Sequence, residues 1–408
     1  MDKSKFCRVC GSKQSFVLID FGKQPVSDQY LDNNTKTDTA YPLALSQCHQ
    51  CATVQLQDQF PVTALIQNKT PPSWTEPETH LDSLVERLLN LPGISRSSNI
   101  CGVTPKDASI LKRLNSGGID NTWVIDPQSD LGLLEVDNCL PAIQSTITPS
   151  VVPILRAKYG TPDLVICRHA IEHSNNIFNF LSAIKLLVHD TGYIVFEIPD
   201  SYKALANFDY SKIWEQHTFY FTKRTFERVL IASGLSIIDT QIYPYPYEDC
   251  LVSIGKKSLH NLNRVSVYSL DQDELSLGSN FGIAYPAKKE QTSAKLRTLS
   301  SRSGIAVYGS GHAAVAFINL LDVHAHFQFV VDDNPQKLGH YMPGSCLPIF
   351  DASSLTSKNI GICLSTVNIE HQDRMIENNR QFLGKGGSFY SIFPDTPETT
   401  LHEINSPR

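Results

Sequence analysis

Residues 162–199, PDLVICRHAIEHSNNIFNFLSAIKLLVHDTGYIVFEIP, contain the pattern that decides the fold. Two short apolar runs, DLVICR and YIVFEI, flank a stretch whose apolar residues recur at helical spacing. Such runs suit parallel strands buried on both faces, and parallel neighbours need a crossover, which is usually helical. Gly192 is expected to end the helix, in the left-handed conformation that glycine adopts without strain. The segment therefore predicts a strand, a helix and a second, parallel strand.

The same alternation continues on both sides of this segment. SNICGV (98–103) and NTWVID (121–126) are further strand-like runs. KRTFERVLIASG (223–234) reads as another amphipathic helix, with Gly234 as its stop. Strands that alternate with helices in this way predict a doubly wound α/β domain.

Two C-x-x-C pairs stand near the start of the chain. They are Cys7 and Cys10 in FCRVCG, and Cys48 and Cys51 in QCHQCA. A C-x-x-C turn directs two thiolates to one point, and two such turns supply the four ligands of a tetrahedral zinc site. Two unrelated pairs or a disulfide scaffold are the alternatives. We expect a structural Zn²⁺, because a closed four-cysteine site leaves no position for a substrate.

The predicted fold class is α/β, with two Rossmann-like doubly wound domains and a small N-terminal zinc-binding module. The predicted domains are the zinc-binding module at 1–60, the central α/β domain at 61–258, a helical linker at 259–300 and the C-terminal Rossmann-like domain at 301–408.

Charge and composition argue against several classes of partner. The chain of 408 residues has 35 basic and 41 acidic residues, a net charge of −6, so no basic field favours nucleic acid. The start, MDKSKFCRVC, lacks the apolar segment of a signal peptide, and no apolar run reaches membrane-spanning length. We therefore expect a cytoplasmic protein without a nucleic-acid or membrane partner, as a monomer or homodimer.

Two polar segments follow strands of the central domain. Arg168, His169, Glu172 and His173 lie just past a strand, at the edge where open α/β sheets bind ligands. A solvated turn is the alternative. The segment IWEQHTFYF (213–221) places aromatic residues around one histidine, a residue type suited to accepting a proton near neutral pH. A core histidine is the alternative there.

The first two strands could hold a nucleoside. Asp126 ends the second strand, where an acid commonly accepts hydrogen bonds from a ribose diol. Gly102 alone follows the first strand, where two or three glycines would let a nucleoside approach the backbone. Gly309, Gly311 and Ala314 form a G-x-G-x-x-A turn in the C-terminal domain, which fits either dinucleotide binding or tight strand–helix packing.

The chain resembles the sugar C-methyltransferases over nearly its whole length. The resemblance rests on CRVCG, DFGKQPVSDQYL and YPLALSQCHQCATVQL at the front, on residues 163–200 and IWEQHTFYF in the middle, and on YGSG and VVDDNPQKLGHYMPGSCLPI near the end. It implies a central class I S-adenosylmethionine-dependent domain that methylates a carbon beside the ketone of a nucleotide-linked 4-keto sugar.

The resemblance also implies site residues. The general base corresponds to His217, and a second active-site histidine corresponds to His173. Trp214 and Gln216 stand where the family tends to have an aromatic residue and glutamate. On the donor side, His169 joins Gly102 and Asp126 as an expected S-adenosylmethionine contact.

Three functions remain open from the sequence. The first is an S-adenosylmethionine-dependent C-methyltransferase acting on a nucleotide-linked keto sugar with His217 as base. The second, motivated by the single Gly102 and by Gln216, is a methyltransferase-like protein that binds a sugar nucleotide with lost or altered activity. The third is a nicotinamide-dependent enzyme using the Gly309–Gly311–Ala314 turn, with Asp332 at the end of the next strand.

Overall fold

A computed structural model describes residues 6–34, 38–66, 78–134, 139–258 and 270–393. The chain divides into two compact units. The first contains residues 1–17, 45–202 and 216–276, and the second contains residues 18–44, 203–215 and 277–408. Most of the proline-bearing stretch 68–80, expected to be irregular, lies outside the described residues.

The strands of the described residues are β1 (Ser15–Pro25), β2 (Ala40–Cys48), β3 (Val54–Leu56), β4 (Asn99–Gly102), β5 (Asn121–Val124), β6 (Leu164–Arg168), β7 (Tyr193–Asp200), β8 (Phe219–Tyr220), β9 (Leu235–Tyr243), β10 (Asp249–Lys257), β11 (Gly304–Tyr308), β12 (Phe329–Val331), β13 (Ile349–Phe350), β14 (Ile360–Ser365) and β15 (Ser388–Ser391).

The α-helices of the same residues are α1 (Leu81–Leu89), α2 (Ala108–Ser116), α3 (Leu140–Thr146), α4 (Val152–Tyr159), α5 (Ile177–Leu187), α6 (Tyr202–Ala206), α7 (Lys223–Ala232), α8 (Gln272–Ser300), α9 (His312–Leu320), α10 (Ser354–Ser357), α11 (Ile369–Asn378) and α12 (Arg380–Gly384).

The first unit is built on a six-stranded sheet of order β5-β4-β6-β7-β10-β9. Strands β5, β4, β6 and β7 are parallel, as the sequence predicted, while β10 runs antiparallel to both of its neighbours. Every residue of β6 is buried, which is why its sequence is a continuous apolar run before Arg168. The parallel strands bring their carboxyl ends, and the polar residues that follow them, to one edge of the sheet.

Helix α5 forms as predicted but ends earlier than expected. Asn176 caps its start by accepting a hydrogen bond from the Asn179 N–H. The helix stops at Leu187, and Val188 is already extended, so Gly192 is not its terminating residue. A Cβ on Gly192 would lie 2.6 Å from the Asp163 carbonyl oxygen. Glycine is therefore required there by a close approach of two backbone segments.

Helix α7 ends as predicted. Thr222 caps its start by accepting a hydrogen bond from the Thr225 N–H. Gly234 follows the last turn with φ of +86°, the left-handed conformation in which a side chain would be strained.

The second unit contains a parallel five-stranded sheet of order β13-β12-β11-β14-β15. Helix α8 is a single 29-residue helix that includes Pro286, and it lies within the segment 259–300 predicted as a helical linker. The six-stranded sheet with its four parallel strands and the parallel five-stranded sheet confirm the α/β class. In the described residues no helix has the length and apolar character that crossing a membrane requires.

Candidate active site and zinc-binding module

The two C-x-x-C turns bring their four sulfur atoms together. Cys7 Sγ lies 3.5 Å from Cys51 Sγ, Cys10 Sγ lies 3.4 Å from Cys48 Sγ, and all four sulfurs fall within 4.8 Å of one another. Zn–S bonds of about 2.3 Å in a tetrahedron place sulfurs about 3.8 Å apart. The arrangement fits Zn²⁺ without rearrangement.

Local backbone turns hold these cysteines in place. The Gly11 N–H donates to the Cys7 carbonyl, and the Ala52 N–H donates to the Cys48 carbonyl. Gly11 and Ala52 both have positive φ, of 74° and 60°. Each C-x-x-C pair is thus one tight turn that ends in a left-handed residue and directs two sulfurs inward.

A buried carboxylate organises the loop that follows β6. The Arg168 Nε donates to Glu197 Oε2 at 2.8 Å, and His169 Nε2 lies 3.0 Å from Glu197 Oε1. Burial alone would raise the pKa of Glu197, but the charge of Arg168 and the hydrogen bond with His169 hold it well below its usual value. His169 has a left-handed φ of 49°, which fixes the direction of its ring.

Two more residues reach the same carboxylate from distant parts of the chain. His80 Nε2 lies 3.2 Å from Glu197 Oε2, and Cys250 Sγ lies 3.5 Å from His80 Nε2. The sequence analysis did not identify Glu197, His80 or Cys250. The sequence does contain one signal for Glu197. It is an acid inside the apolar run YIVFEI, where a carboxylate is disfavoured unless it is paired.

The predicted residues His173, Gln216 and His217 lie together in the first unit. His173 Nδ1 lies 2.9 Å from the Gln216 carbonyl oxygen, which makes Nδ1 the protonated nitrogen. The ring centroids of His173 and His217 are 4.8 Å apart at an interplanar angle of 77°. Burial lowers the pKa of His173 to about 4, so this ring is neutral near neutral pH. His217 is half-buried.

Trp214 belongs to the second unit. Its indole stacks on the His312 ring at a centroid distance of 4.7 Å, and its Nε1 donates to Ser27 Oγ at 3.1 Å. The Ser27 hydroxyl in turn donates to Glu215 Oε1 at 2.8 Å. Burial raises the pKa of Glu215 to about 7.

Gly102 is required by packing at the end of β4. A Cβ on it would lie 2.8 Å from Asp107 Cβ. The buried Asp107 carboxylate accepts hydrogen bonds from the backbone N–H groups of Val103 and Thr104, both at 2.8 Å, and of Arg168 at 3.0 Å. The loop N–H groups that a glycine-rich turn would present to a ligand are therefore bonded to Asp107. The T-P-K-D sequence of a capping box could have revealed this residue.

Asp126 lies at the exposed tip that follows β5. Its Oδ1 accepts hydrogen bonds from the Gln128 and Ser129 N–H groups at 3.1 and 2.7 Å. The bonds from Ser129 are the main reason that its pKa is lowered. Asp126 is a charged acceptor at a strand tip, which fits a nucleoside diol.

The G-x-G-x-x-A turn of the second unit engages its own neighbouring acid. Asp332 Oδ2 accepts hydrogen bonds from the Ser310 N–H at 2.8 Å and the Ser310 hydroxyl at 2.5 Å, and Lys337 Nζ lies 3.4 Å away. Gly309 has φ of +92°, and a Cβ there would lie 2.5 Å from Thr366 Oγ1. These contacts join the turn to residues that follow the two neighbouring strands β12 and β14.

Three family models match consecutive parts of the chain. Residues 7–65 match a candidate zinc-binding domain, residues 73–240 a methyltransferase domain, and residues 270–394 a C-methyltransferase C-terminal domain. The order of the three is the order that the sequence analysis inferred from its motifs.

Individual proteins are similar to this chain at low sequence identity. The C-methyltransferase NovU of Streptomyces niveus is 21% identical over 414 residues, which is 97% of this chain and 98% of that protein. Among solved structures, the 1,6-didemethyltoxoflavin-N1-methyltransferase of Burkholderia thailandensis is 12% identical, covering 44% of this chain and 77% of that one, with a TM-score of 0.29. The magnesium protoporphyrin IX methyltransferase of Synechocystis is 15% identical, covering 44% and 81%, also with a TM-score of 0.29. The domain matches and the clustered cysteines support a methyltransferase in which a zinc-binding module, a methyltransferase domain and a C-methyltransferase C-terminal domain follow one another.

Proposed function

We propose that the chain methylates the carbon beside the ketone of a nucleotide-linked 4-keto deoxysugar, with His217 as the general base. The observation that carries the base assignment is the pairing of a half-buried His217 with a neutral, oriented His173. The sugar class rests on the resemblance of the whole chain to sugar C-methyltransferases, and NovU adds a full-length C-methyltransferase relative.

The reaction needs one base and a positioned methyl donor. A His217 ring nitrogen takes the proton from the carbon beside the ketone, and the C–H electron pair forms an enolate. The enolate carbon then bonds to the donor's methyl group as the S–CH₃ bond breaks, and its electrons stay on sulfur as a neutral thioether. His217 afterwards releases its proton to solvent. Proximity and the positive charge of the donor supply most of the acceleration.

The remaining predicted residues have binding and orienting roles in this proposal. Asp126 accepts hydrogen bonds from the donor's ribose, and Gly102 lets β4 end close to the start of α2. His169, held by Glu197, lines the donor side of the same sheet edge. Gln216 orients His173 through its main-chain carbonyl oxygen. The role of Trp214 stays a prediction from the resemblance.

Transfer of labelled methyl groups tests the proposal. We would incubate the protein with methyl-labelled S-adenosylmethionine and a panel of nucleotide-linked 4-keto sugars, then locate the label by NMR. His217→Asn should lower kcat by about 10²–10⁴-fold, the usual contribution of a general base. His324→Asn changes an exposed histidine and serves as the matched control. Label in no keto sugar, or full activity in His217→Asn, would reject the proposal.

A second candidate function is a protein that binds the sugar nucleotide but has lost or altered methyl transfer. It is favoured by one observation, that Asp107 occupies the N–H groups of the loop after β4. Calorimetry with S-adenosylmethionine separates the first candidate from a protein that has lost methyl transfer, because that loss predicts no heat of donor binding alongside a measurable heat with a sugar nucleotide. The nicotinamide alternative receives no comparable support, because Asp332 already accepts two hydrogen bonds from Ser310 in the G-x-G-x-x-A turn.

A further inference from the structure

Glu172 is a buried carboxylate whose oxygen atoms have no hydrogen-bond donor among the described residues. The residue is 1% exposed. Its nearest recorded ion-pair partner is His169 Nδ1, at 3.6 Å from Oε1, and the other nitrogen of that ring is held by Glu197. Burying a charged carboxylate without donors is costly, so such a group is retained where a positive charge or a ligand meets it.

The backbone fixes Glu172 beside the segment that carries His217. The Thr218 N–H donates to the Glu172 carbonyl oxygen at 2.8 Å. The Gln59 side-chain amide donates to the Ser174 carbonyl at 3.2 Å and to Thr218 Oγ1 at 2.9 Å. Together with the bond from His173 to the Gln216 main-chain carbonyl, these contacts hold residues 172–174 against residues 216–218. The carboxylate is therefore placed by the fold.

Glu172 and the two histidines form one compact group. A carboxylate oxygen of Glu172 and one ring nitrogen each from His173 and His217 lie within 4.8 Å of one another. Other titratable neighbours include His169, Tyr220, whose ring centroid is 6.3 Å from that of His217, and Lys106, whose charge acts on His173. Glu172 is thus an anion placed beside both rings.

We propose that Glu172 is a positioning residue that stabilises the protonated form of His217. This inference rests on the proposed function of His217 as the base. While the base holds the proton taken from the substrate, its imidazolium lies beside the Glu172 carboxylate, and the pair is neutral overall. His173 is neutral and Gln216 carries no charge, so neither can supply this compensation. Glu172 makes His217 more basic and keeps its ring in place.

The first test measures the protonation of His217 directly. In full-length protein labelled at histidine, NMR titration would follow His217, assigned by comparison with His217→Asn. Glu172→Gln keeps the side-chain shape and removes the charge. Because an opposite charge within about 4–6 Å shifts a pKa by 1–3 units, the pKa of His217 should fall by at least about one unit. Glu86→Gln, an exposed glutamate on α1, should leave it unchanged.

The second test uses the pH dependence of methyl transfer. The acid limb of kcat/KM should move to lower pH in Glu172→Gln, since the neutral base persists at lower pH. The plateau rate should fall by up to about tenfold for each unit of basicity lost. Glu172→Asp keeps the negative charge, so its acid limb should lie between those of Glu172→Gln and the unsubstituted protein. Removing a buried charge without donors should also raise the melting temperature, whereas a merely structural glutamate would lower it.

The outcomes separate this inference from the proposed function. An unchanged pKa of His217 in Glu172→Gln overturns the role of Glu172, even if methyl transfer is confirmed. A lowered pKa in a protein that methylates no keto sugar supports the role of Glu172 and rejects the proposed function. One equivalent of metal beyond the four-cysteine site, lost in Glu172→Gln, would show that the carboxylate binds a cation, and would also overturn the inference.

Discussion

Arg168 and Glu197 are register partners on the adjacent parallel strands β6 and β7, and their side chains form a buried ion pair with an Nε–Oε2 distance of 2.8 Å. Both side chains are at most 2% exposed. The pair lies at the sheet edge where the candidate active site is found, and it fixes the start of the loop that leads to Glu172 and His173.

Removing one member of this pair should be strongly destabilising. Glu197→Gln removes the buried carboxylate of this pair and leaves Arg168 with the partly exposed Glu78, 3.3 Å from its Nη1, so we expect a loss of about 3–5 kcal/mol in the free energy of unfolding. Urea unfolding of the variant measures it. Asp120→Asn breaks the exposed pair with Arg96 and should leave the unfolding midpoint unchanged. Equal effects of the two changes would contradict this account.

The four-cysteine site should behave as a structural zinc site. Cys7→Ser should abolish the binding of one equivalent of zinc, measured by elemental analysis, and should lower the melting temperature, because zinc binding is coupled to folding of the module. Cys346→Ser changes a half-buried thiol outside the cluster and should retain the metal. Zinc-stripped protein with full activity and an unchanged melting temperature would show that zinc has no structural role.

Gly102 should not tolerate a side chain. Gly102→Ala places a Cβ 2.8 Å from Asp107 Cβ and 3.0 Å from Leu111 Cδ1, and overpacking of this kind costs about 1–3 kcal/mol. Gly311→Ala is the matched control, because a Cβ there meets no atom within 4 Å. Thermal unfolding of both variants tests the difference. A stable Gly102→Ala protein would mean that the start of α2 can move.

The buried Glu215 should make stability depend on pH. Its pKa rises from 4.5 to about 7 on folding, so the folded chain binds the proton more tightly, and stability is lost as the pH rises between about 4.5 and 7. Glu215→Gln removes this loss. The variant should therefore gain stability relative to the unsubstituted chain as the pH increases from 4.5 to 7.5, by on the order of 3 kcal/mol. Melting temperatures across this range check the sign, and a constant difference would contradict it.

The sequence predicted most of what depends on local pattern. The strand–helix–strand unit at 162–199, the cap by Gly234 and the C-x-x-C turns all follow from spacing within a few residues. Gly192 was misinterpreted because its role depends on Asp163, which is distant in sequence and close in space.

The charged network at the sheet edge could not be predicted in the same way. Cys250 reaches it because β10 pairs antiparallel with β7, which places Cys250 opposite Pro199. No local periodicity encodes that pairing. His80, the residue directly before α1, likewise contacts Glu197 from a distant part of the sequence. Sequence pattern identified which strand ends carry polar residues, while the partners of each residue depend on long-range pairing.

The pairing of β3 with β8 has a consequence for the order of events during synthesis. Gln55 pairs with Phe219, and Val54 with Tyr220, so β3 gains this neighbour only after about 164 further residues have been made. At about 5–20 residues per second, that interval is on the order of 10–30 s. Throughout it, one edge of β3 is open to pairing with other chains, the condition that favours aggregation. Early capture of zinc by the four cysteines, which all precede this strand, would keep β3 in a folded module while the ribosome completes the segment that carries His217.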